Sequence, residues 1–486
     1  MKIRFQTELK SGTSCVIIPC LEDRIPKRIL KSYLASDVSE IFSGKFKQSR
    51  LLIGKDGQLV VLLGLGKETQ LIRAAEAFRS LLYQERAQLP SSCAIVLGSF
   101  SELLAKEAAR GCTLAEYSTR QWDKGQKPAA RAAVVTGVKT VTFVTADKNA
   151  AAIKKAAKEG VLTAESQMGI MELIDRPANK KTPSFMASYV KASAKKYGYT
   201  AKILKGAAVQ KAGLHTVVAV NKGSEEPAVF IQMEYFPSKK KTSPTLGLVG
   251  KGITFDTGGI SIKGASNMHF MKCDMGGGAA VIGAIELAAK LKLNVSVVGI
   301  VPATENCVDG KGVKPGDVID SYSGKTIEVI DTDAEGRLIL ADGLAFMQKN
   351  YKPEVLIDVA TLTGSAVRTL GYTSGALFTE NDKLANSLSK LGAGIYERLW
   401  RLPMYDDFGA ETHSDVADVK NLGSRPMAGA SFAAKFLEHF TDGHENWAHL
   451  DIAGVAFGDS EYATMKSATG YGVRLLVEFM KTLEKK

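Results

Sequence analysis

The chain has 486 residues, of which 45% are hydrophobic and 23% charged. This composition is typical of globular proteins and excludes the collagen-like, mucin-like and disordered classes. The formal net charge is +12, but residues 1–250 carry a balance of +18 and residues 251–486 a balance of −6. The length predicts at least two hydrophobic cores, because a single core stops growing at roughly 250–300 residues.

We expect neither an export signal nor a membrane span in this sequence. Its first residues are charged on both signs, and no window approaches the roughly 18 uninterrupted apolar residues that a span needs. We therefore expect a cytoplasmic protein with reduced, mostly buried thiols, because no two cysteines form a C-x-x-C pair. The cysteines are Cys15, Cys20, Cys93, Cys112, Cys273 and Cys307.

Apolar β-rich runs alternate with helical patterns in the first third of the chain, which predicts an α/β domain with a largely parallel sheet. Asn149–Ile174 is strongly helical and has no strand to pair with, so we predict that it crosses between domains. The expected division is a smaller domain over 1–163 and a larger one over 164–486, with a helical linker around 149–175. The predicted strands are Cys15–Cys20, Gln58–Gly64, Ala94–Gly98 and Thr140–Thr145.

The second domain begins at a helix that Thr182 can cap and for which Pro183 suits the first position. A long helix is predicted from about Gly277 to Leu291, and the lysine run Lys239–Lys241 is expected to form a solvated loop tip. The strands expected here are Thr216–Asn221, Ala228–Glu234, Leu246–Gly250, Val295–Pro302 and Val355–Ala360. We expect a mixed, largely parallel central sheet flanked by helices.

The segment 250–278 combines charged side chains with many glycines. It begins at the carboxyl end of a predicted buried strand, the edge at which α/β sheets bind their ligands. Glycines allow positive φ and close approach of the backbone to a bound group. Neither common phosphate-binding glycine pattern is present, and a glycine-rich turn with structural ion pairs is the alternative interpretation. Its charged residues are two aspartates and three lysines, namely Lys251, Asp256, Lys263, Lys272 and Asp274.

A second charged segment contains Asp331, Asp333 and Glu335, which would point to one side of an extended chain. Three like charges this close repel one another unless a cation neutralises them. An EF-hand calcium loop is disfavoured because loop position 5 is Glu335, where Asp or Asn is usual, and position 12 is Asp342, where a bidentate Glu is expected. The segment upstream is also predicted to be a strand rather than a helix.

Together the two segments offer hard oxygen ligands without a nearby His or Cys pair. Such ligands suit Mg²⁺, Mn²⁺ or Zn²⁺. Four or five carboxylates are more than one catalytic ion needs, and a pair of ions about 3.5–4 Å apart fits the number better. Beside two dications, Lys251 would be favoured as a neutral amine, which can act as a ligand.

Both segments resemble the leucyl aminopeptidase family of dinuclear metallo-exopeptidases, the cytosolic type also called aminopeptidase A in bacteria. Residues 333–338 read Asp-Ala-Glu-Gly-Arg-Leu, as in the family's Asn-Thr-Asp-Ala-Glu-Gly-Arg-Leu signature. The chain departs from this signature at Asp331, where Asn is usual. The resemblance covers roughly 160–486, and the other matching segments are 250–259 with Lys263, 271–277, 360–364 and 447–454.

The resemblance implies a metal-dependent aminopeptidase that removes an N-terminal leucine or similar apolar residue from peptides with a free α-amine. Residues 164–486 would form the catalytic domain, and six chains would form a homohexamer. Two ions, Mn²⁺ or Zn²⁺, would share a bridging water. One ion would be held by Lys251, Asp256, Asp274 and Glu335, and the other by Asp256, Asp333 and Glu335.

The same resemblance implies roles for residues around the ions. Lys263 would stabilise the oxyanion of the tetrahedral intermediate, and Arg337 would hold a bicarbonate that acts as general base. No His or Glu in either motif is left without a metal to bind, which agrees with such an external base. An apolar pocket for the first side chain would be shaped by Met271, Thr361, Leu362, Gly364 and the Ala453–Ala456 region.

Two other functions remain as alternatives. The basic N-terminal half could bind nucleic acid in addition, although no nucleic-acid motif supports it; such binding would weaken steeply with salt. A carboxylate-metal phosphohydrolase is disfavoured because Lys251 and segment 447–454 match a peptidase. His449 is expected to be a hydrogen-bonded core residue, as single buried histidines usually are, or a residue that supports the site without contacting the ions.

Overall fold

The computed structural model describes residues 1–22, 24–97, 102–119, 137–145, 150–237, 244–424, 427–458, 461–463 and 465–484. The loop tip expected at Lys239–Lys241 lies outside these residues. The fold divides into two compact units, one of Met1–Met168 with Ser460–Thr464 and the other of Gly169–Asp459 with Met465–Lys486. None of the helices in the described part of the chain is long and apolar enough to cross a membrane.

The first unit contains a six-stranded sheet with the order β1-β6-β5-β2-β4-β3. All neighbours pair in parallel except β3 and β4. The strands β1 to β6 are Lys2–Gln6, Cys15–Cys20, Ser49–Ile53, Leu59–Gly64, Ser92–Val96 and Thr140–Val144. The helices α1 to α4 are Lys27–Tyr33, Ala74–Gln84, Glu102–Leu114 and Ala150–Asp175, and a 3-10 turn spans Glu68–Arg73. The predicted parallel α/β pattern is confirmed, and the boundary between the units falls within α4.

The second unit is built on a nine-stranded sheet with the order β16-β15-β18-β14-β9-β11-β8-β7, to which β10 adds by pairing with β11. Smaller sheets are formed by β12-β13-β17 and β19-β20. The strands β7 to β20 are Thr200–Lys205, Val229–Tyr235, Leu246–Gly250, Gly252–Asp256, Val297–Asn306, Val318–Asp320, Thr326–Glu328, Val355–Ala360, Gly375–Phe378, Leu399–Arg401, Val419–Lys420, Trp447–Asp451, Phe457–Gly458 and Ser467–Ala468.

The described helices of this unit are numbered α5 to α14. They are Pro183–Tyr197, Ala207–Lys211, His215–Asn221, Gly276–Leu291, Glu335–Asn350, Gly364–Leu370, Asp382–Ile395, Asp406–Ala410, Gly429–Glu438 and Val473–Thr482. Short 3-10 turns span Ala178–Lys180 and Met268–Cys273. The helix start predicted at Thr182 is confirmed, because its Oγ1 accepts a hydrogen bond from the N–H of Phe185 (3.3 Å).

The centre of the large sheet is parallel and covered by helices on both faces. Strands β18, β14, β9 and β11 are neighbours and run in one direction, so their carboxyl ends share one edge. A Cβ on Gly247 would lie 3.1 Å from Met347 Cγ of α9, whereas a Cβ on Gly250 would lie 2.6 Å from Gly278 Cα of α8. These two positions of β9 point to opposite faces. Because helices cover both faces of the sheet, its central strands are buried and consist almost entirely of apolar residues.

One predicted strand is wrong. Residues Thr216–Asn221 form helix α7, not a strand. The buried carboxylate of Asp342, on α9, accepts hydrogen bonds from the N–H groups of Thr216 (2.9 Å) and Val217 (3.4 Å) at the start of this helix. This contact satisfies donors that a helix start leaves without partners. A tertiary contact therefore overrides the β preference of Thr and Val.

We expect Gly277→Ala to destabilise the protein, because a Cβ there would lie 1.9 Å from the backbone oxygen of Val359 in β14. Helix α8 would have to move away from the sheet, at a cost of about 1–3 kcal/mol in the free energy of unfolding. Urea denaturation measures this loss. Gly264→Ala is the matched control, since a Cβ at that exposed glycine would meet no atom within 4 Å. Equal losses in the two variants would contradict the packing argument.

Candidate metal centre

The two charged segments meet at the carboxyl edge of the central strands. Lys251 directly follows β9, Asp256 ends β10 and Glu335 begins α9. One carboxylate oxygen from each of Asp256, Asp333 and Glu335 lies within 4.8 Å of the others. The fold thus brings together three predicted ligands that are up to 79 residues apart in the printed sequence.

Lys251 connects this group to the fourth predicted carboxylate. Its Nζ lies 2.8 Å from Asp274 Oδ2 and 2.9 Å from Glu335 Oε1, and it donates a hydrogen bond to the carbonyl of Thr361 (3.0 Å). Thr361 Oγ1 in turn donates to Asp274 Oδ1 (2.9 Å). All five predicted metal ligands and one predicted pocket residue therefore belong to one connected cluster.

Lys263 lies on the other side of the carboxylates. Its Nζ is 2.8 Å from Asp256 Oδ2 and also forms an ion pair with Asp333. The second oxygen of Asp256 accepts hydrogen bonds from the N–H of Gly258 (2.9 Å) and from Nδ2 of Asn306 (2.8 Å). Sequence reasoning missed Asn306. Its position at the end of β11, on the same sheet edge, is the signal that could have found it.

The segment around Asp333 is a turn, so the prediction of an extended chain with three carboxylates on one side is wrong. Asp331 Oδ1 accepts a hydrogen bond from the N–H of Asp333 (2.8 Å). This bond turns the chain, and Asp331 is not a member of the carboxylate group. Upstream lies strand β13 rather than a helix, as expected against an EF-hand.

A glycine pair packs the first segment against this turn. Gly258 and Gly259 have φ of 89° and 64°, which a residue with a side chain adopts only with strain. Thr332 Oγ1 donates to the carbonyl of Gly258 (2.7 Å) and accepts from the N–H of Ser261 (2.8 Å). The turn that carries Asp333 is therefore held to the loop that carries Lys263.

Arg337 lies two residues after Glu335 on α9. Its guanidinium is buried, donates from NH1 to the carbonyl of Asn421 (2.7 Å) and lies 5.6 Å from the ring centre of Phe432. Burial lowers the pKa of Arg337 to about 10, which leaves it cationic at neutral pH. Its Nε has no hydrogen-bond partner among the described residues.

Burial and mutual repulsion disfavour the ionised forms of the carboxylates unless a cation is bound. Burial, and next the charge of Asp256, raise the pKa of Glu335 well above its ordinary value. Burial raises the pKa of Asp274 to about 6 and also raises the pKa of Asp333. Burial opposes the ammonium of Lys251, but Asp274, Glu335 and Asp256 outweigh it and raise its pKa. A neutral Lys251 would therefore require bound cations that offset these carboxylates.

The donor set suits a divalent cation. Glu335 is only 1% exposed, and neither of its oxygens accepts a hydrogen bond of normal geometry from the described residues. Its Oε1 has an ion-pair contact with Lys251, whereas Oε2 has none among the described residues. Buried carboxylate oxygens without donors are costly unless a cation binds them. The residues present thus fit the predicted metal group.

The predicted pocket residues lie next to this cluster. Thr361 and Leu362 follow β14, and the N–H of Leu362 donates to Asp451 Oδ1 (3.1 Å) at the end of β18. Gly364 begins α10, whereas Met271 lies in the 3-10 turn that precedes Asp274. A Cβ on Gly276 would lie 3.0 Å from both Thr361 Cγ2 and Ala456 Cβ, so residues of two predicted pocket segments approach each other there.

His449 is a core residue, as expected. It is fully buried on β18, and its Nδ1 lies 2.6 Å from Asp358 Oδ1 on the neighbouring strand. The other oxygen of Asp358 accepts a hydrogen bond from Trp447 Nε1 (2.8 Å). Burial opposes protonation of His449, but Asp358 outweighs it and raises the histidine pKa.

Residues 170–477 match the sequence pattern of the cytosol aminopeptidase family, catalytic domain. The chain belongs to this family. A probable cytosol aminopeptidase of Chlorobium luteolum is 43% identical over 389 residues, which cover 78% of this chain and 76% of the relative. A probable cytosol aminopeptidase of Rickettsia felis is 38% identical over 453 residues, which cover 90% and 89%. Family membership confirms the predicted aminopeptidase, a hydrolase of a metal-dependent family.

Solved structures confirm the fold class over nearly the whole chain. The bottromycin maturation enzyme BotP in complex with Mn superposes with a TM-score of 0.84 at 30% sequence identity. The superposition covers 98% of this chain and 100% of that enzyme's chain. The predicted two-part α/β architecture with a mixed, largely parallel sheet is therefore confirmed.

Proposed function

We propose that this protein is a leucine-preferring aminopeptidase that works with two divalent ions, Mn²⁺ or Zn²⁺. The residues that would hold them are Lys251, Asp256, Asp274, Asp333 and Glu335. The observation that carries this proposal is the buried carboxylate group, in which neither oxygen of Glu335 accepts a hydrogen bond from the part of the chain that the structure describes. When bound, two such ions would polarise the scissile carbonyl and lower the pKa of a shared water.

The protein's own cations would serve the hydrolysis in two ways. The Lys263 ammonium lies at the edge of the carboxylate group, where it would stabilise the negative charge that develops on the scissile carbonyl oxygen. Arg337 would hold a bicarbonate, which would take the proton of the attacking water and return a proton to the leaving amine. A buried guanidinium whose Nε has no hydrogen-bond partner among the described residues supports this role.

Substrate choice would follow from the surroundings of Thr361. We propose that Met271, Thr361, Leu362 and Gly364 shape an apolar pocket for the first side chain, while the free α-amine of the peptide binds at the metal pair. An apolar pocket separates near-isosteric side chains by only about 1–3 kcal/mol, so specificity is expected to be broad. The names of the relatives also support a cytoplasmic enzyme, and the family resemblance supports a homohexamer.

A chelation and add-back assay tests this function. Dialysis against EDTA is expected to abolish cleavage of leucine p-nitroanilide, and Mn²⁺ or Zn²⁺ is expected to restore it. The N-acetylated substrate is expected to resist cleavage because it lacks the free amine, and p-nitrophenyl phosphate serves as the control for phosphohydrolase activity. Full activity of protein shown to be metal-free, or equal cleavage of the acetylated substrate, would refute the proposal.

A further inference from the structure

Asn421 is a fully buried residue beside the candidate metal centre that no motif singles out. It follows β17, which pairs in parallel with β13, the strand that leads into the turn around Asp333. The N–H of Asn421 extends this pairing by donating to the carbonyl of Glu328 (3.0 Å). A distant part of the chain is therefore docked against the base of the metal-binding turn.

The side-chain amide of Asn421 holds both ends of that turn. Its Oδ1 accepts hydrogen bonds from the N–H groups of Ile330 (2.7 Å) and Asp331 (3.3 Å). Its Nδ2 donates to the carbonyls of Asp331 (2.7 Å) and Ala334 (3.4 Å). An amide offers two donors and two acceptor sites, so its full capacity is used within one turn.

The backbone of the same residue holds Arg337. The carbonyl of Asn421 accepts a hydrogen bond from Arg337 NH1 (2.7 Å). The buried Nε of that arginine has no partner among the described residues. Bonds to charged donors contribute more than neutral ones and fix direction. Asn421 thus contacts both the turn that presents Asp333 and the guanidinium next to Glu335.

We propose that Asn421 is a positioning residue that fixes Asp333 and Arg337 relative to each other, so that the metal ligand and the anion-holding cation act on the same substrate. This inference rests on the proposed function of the two residues it holds. Asn421 would act through hydrogen bonds alone, without touching ions or substrate. Residues that orient metal ligands in this way typically contribute about 10- to 100-fold to metal affinity or activity.

The decisive variants are Asn421→Asp and Asn421→Ala in the full chain, measured with Mn²⁺. Aspartate keeps the size and the acceptor but places a carboxylate oxygen against the carbonyls of Asp331 and Ala334. We expect Mn²⁺ affinity by calorimetry to fall about 10- to 100-fold. We expect kcat at saturating Mn²⁺ to fall as well, because the turn that presents Asp333 shifts relative to Arg337, while KM for leucine p-nitroanilide changes little.

Asn381→Ala is the matched control. Asn381 is also an asparagine that bonds to backbone, since its Oδ1 accepts from the N–H of Leu384 (3.0 Å) and caps α11. Its loss is expected to lower the free energy of unfolding by about 0.5–2 kcal/mol and to leave Mn²⁺ affinity and kcat unchanged. This variant separates a general loss of stability from a loss of positioning.

The possible outcomes distinguish the positioning role of Asn421 from the proposed metal centre on which it rests. A folded Asn421→Asp protein with wild-type Mn²⁺ affinity and kcat would overturn the positioning role. If neither variant folds, Asn421→Ser is measured, and failure of all three to fold would assign Asn421 to stability and reject the proposal. Asp333→Ala is measured in parallel: if it leaves Mn²⁺ binding and activity intact, the proposed metal centre fails rather than Asn421 alone.

Discussion

Glu335→Gln is expected to abolish Mn²⁺ binding and peptide hydrolysis while it stabilises the metal-free protein. Glutamine keeps the shape of the side chain but removes the charge, and Glu335 is buried beside Asp256 and Asp274 without a hydrogen-bond donor to its carboxylate among the described residues. Burial and the charge of Asp256 oppose the ionised form of Glu335 more than its contact with Lys251 favours it, so the neutral side chain is expected to raise the free energy of unfolding by about 1–3 kcal/mol. Calorimetry with Mn²⁺, leucine p-nitroanilide turnover and urea denaturation in EDTA measure the three effects.

Glu286→Gln is the matched control for the stability effect. Glu286 is a buried glutamate in the same unit, but it accepts a hydrogen bond from Ser193 Oγ (2.7 Å) and pairs with Lys290 Nζ (2.7 Å). Its neutralisation breaks a satisfied ion pair and is expected to destabilise the protein, with Mn²⁺ binding retained. A Glu335→Gln protein that is less stable in EDTA, or that still binds Mn²⁺ tightly, would contradict the proposed role of Glu335.

Glu335→Gln is expected to raise the free energy of unfolding and Glu286→Gln to lower it, because the two glutamates have different surroundings. Buried charges are normally paired, as Glu286 is. Among the described residues of the candidate metal centre, four carboxylates face two lysine ammonium groups, and this excess of negative charge favours a divalent ion over a structural ion pair. This is why the alternative of a glycine-rich turn with structural salt bridges does not account for Glu335.

The sequence predicts the parts of the fold in which local pattern and tertiary environment agree. Strand β9 reads as apolar because both of its faces are covered, and its carboxyl end leads directly into Lys251. The helix α7 could not be predicted in this way, because its first N–H groups bond to Asp342, more than a hundred residues later in the chain. Strand propensity alone favours the wrong structure there.

The candidate site also contains some residues that the sequence predicts and others that it does not. Its charged residues are predictable because closely spaced carboxylates imply a cation. Asn306 and Asn421 are not, because each is neutral and acts through contacts across 50 to 90 residues of chain. Asp331 is a third case. Its charge predicts that it joins the other carboxylates, whereas its Oδ1 accepts a hydrogen bond from the N–H of Asp333 and shapes the turn. Residue type indicates the chemistry, and backbone geometry decides which residues perform it.

Lys263→Met is expected to lower kcat by about 10²- to 10³-fold, the usual effect of removing one group that stabilises a developing oxyanion. Mn²⁺ affinity is expected to stay the same or to increase. The reason is that the Lys263 ammonium pairs with Asp256 and Asp333 in the absence of metal and therefore competes with cations for two proposed ligands. Steady-state kinetics at saturating Mn²⁺ and calorimetric titration of the EDTA-treated protein measure the two effects separately.

Lys202→Met controls for the general effect of losing a lysine. Lys202 pairs with Glu234 (2.6 Å) on the exposed surface of β7 and β8, away from the carboxyl edge that carries Lys251. An exposed ion pair contributes about 0–1 kcal/mol, so kcat and Mn²⁺ affinity are expected to match the wild type. If Lys263→Met weakens Mn²⁺ binding as strongly as it lowers kcat, Lys263 supports the ligands structurally. A loss of kcat without a loss of Mn²⁺ affinity is expected only if the Lys263 ammonium acts on the reacting carbonyl.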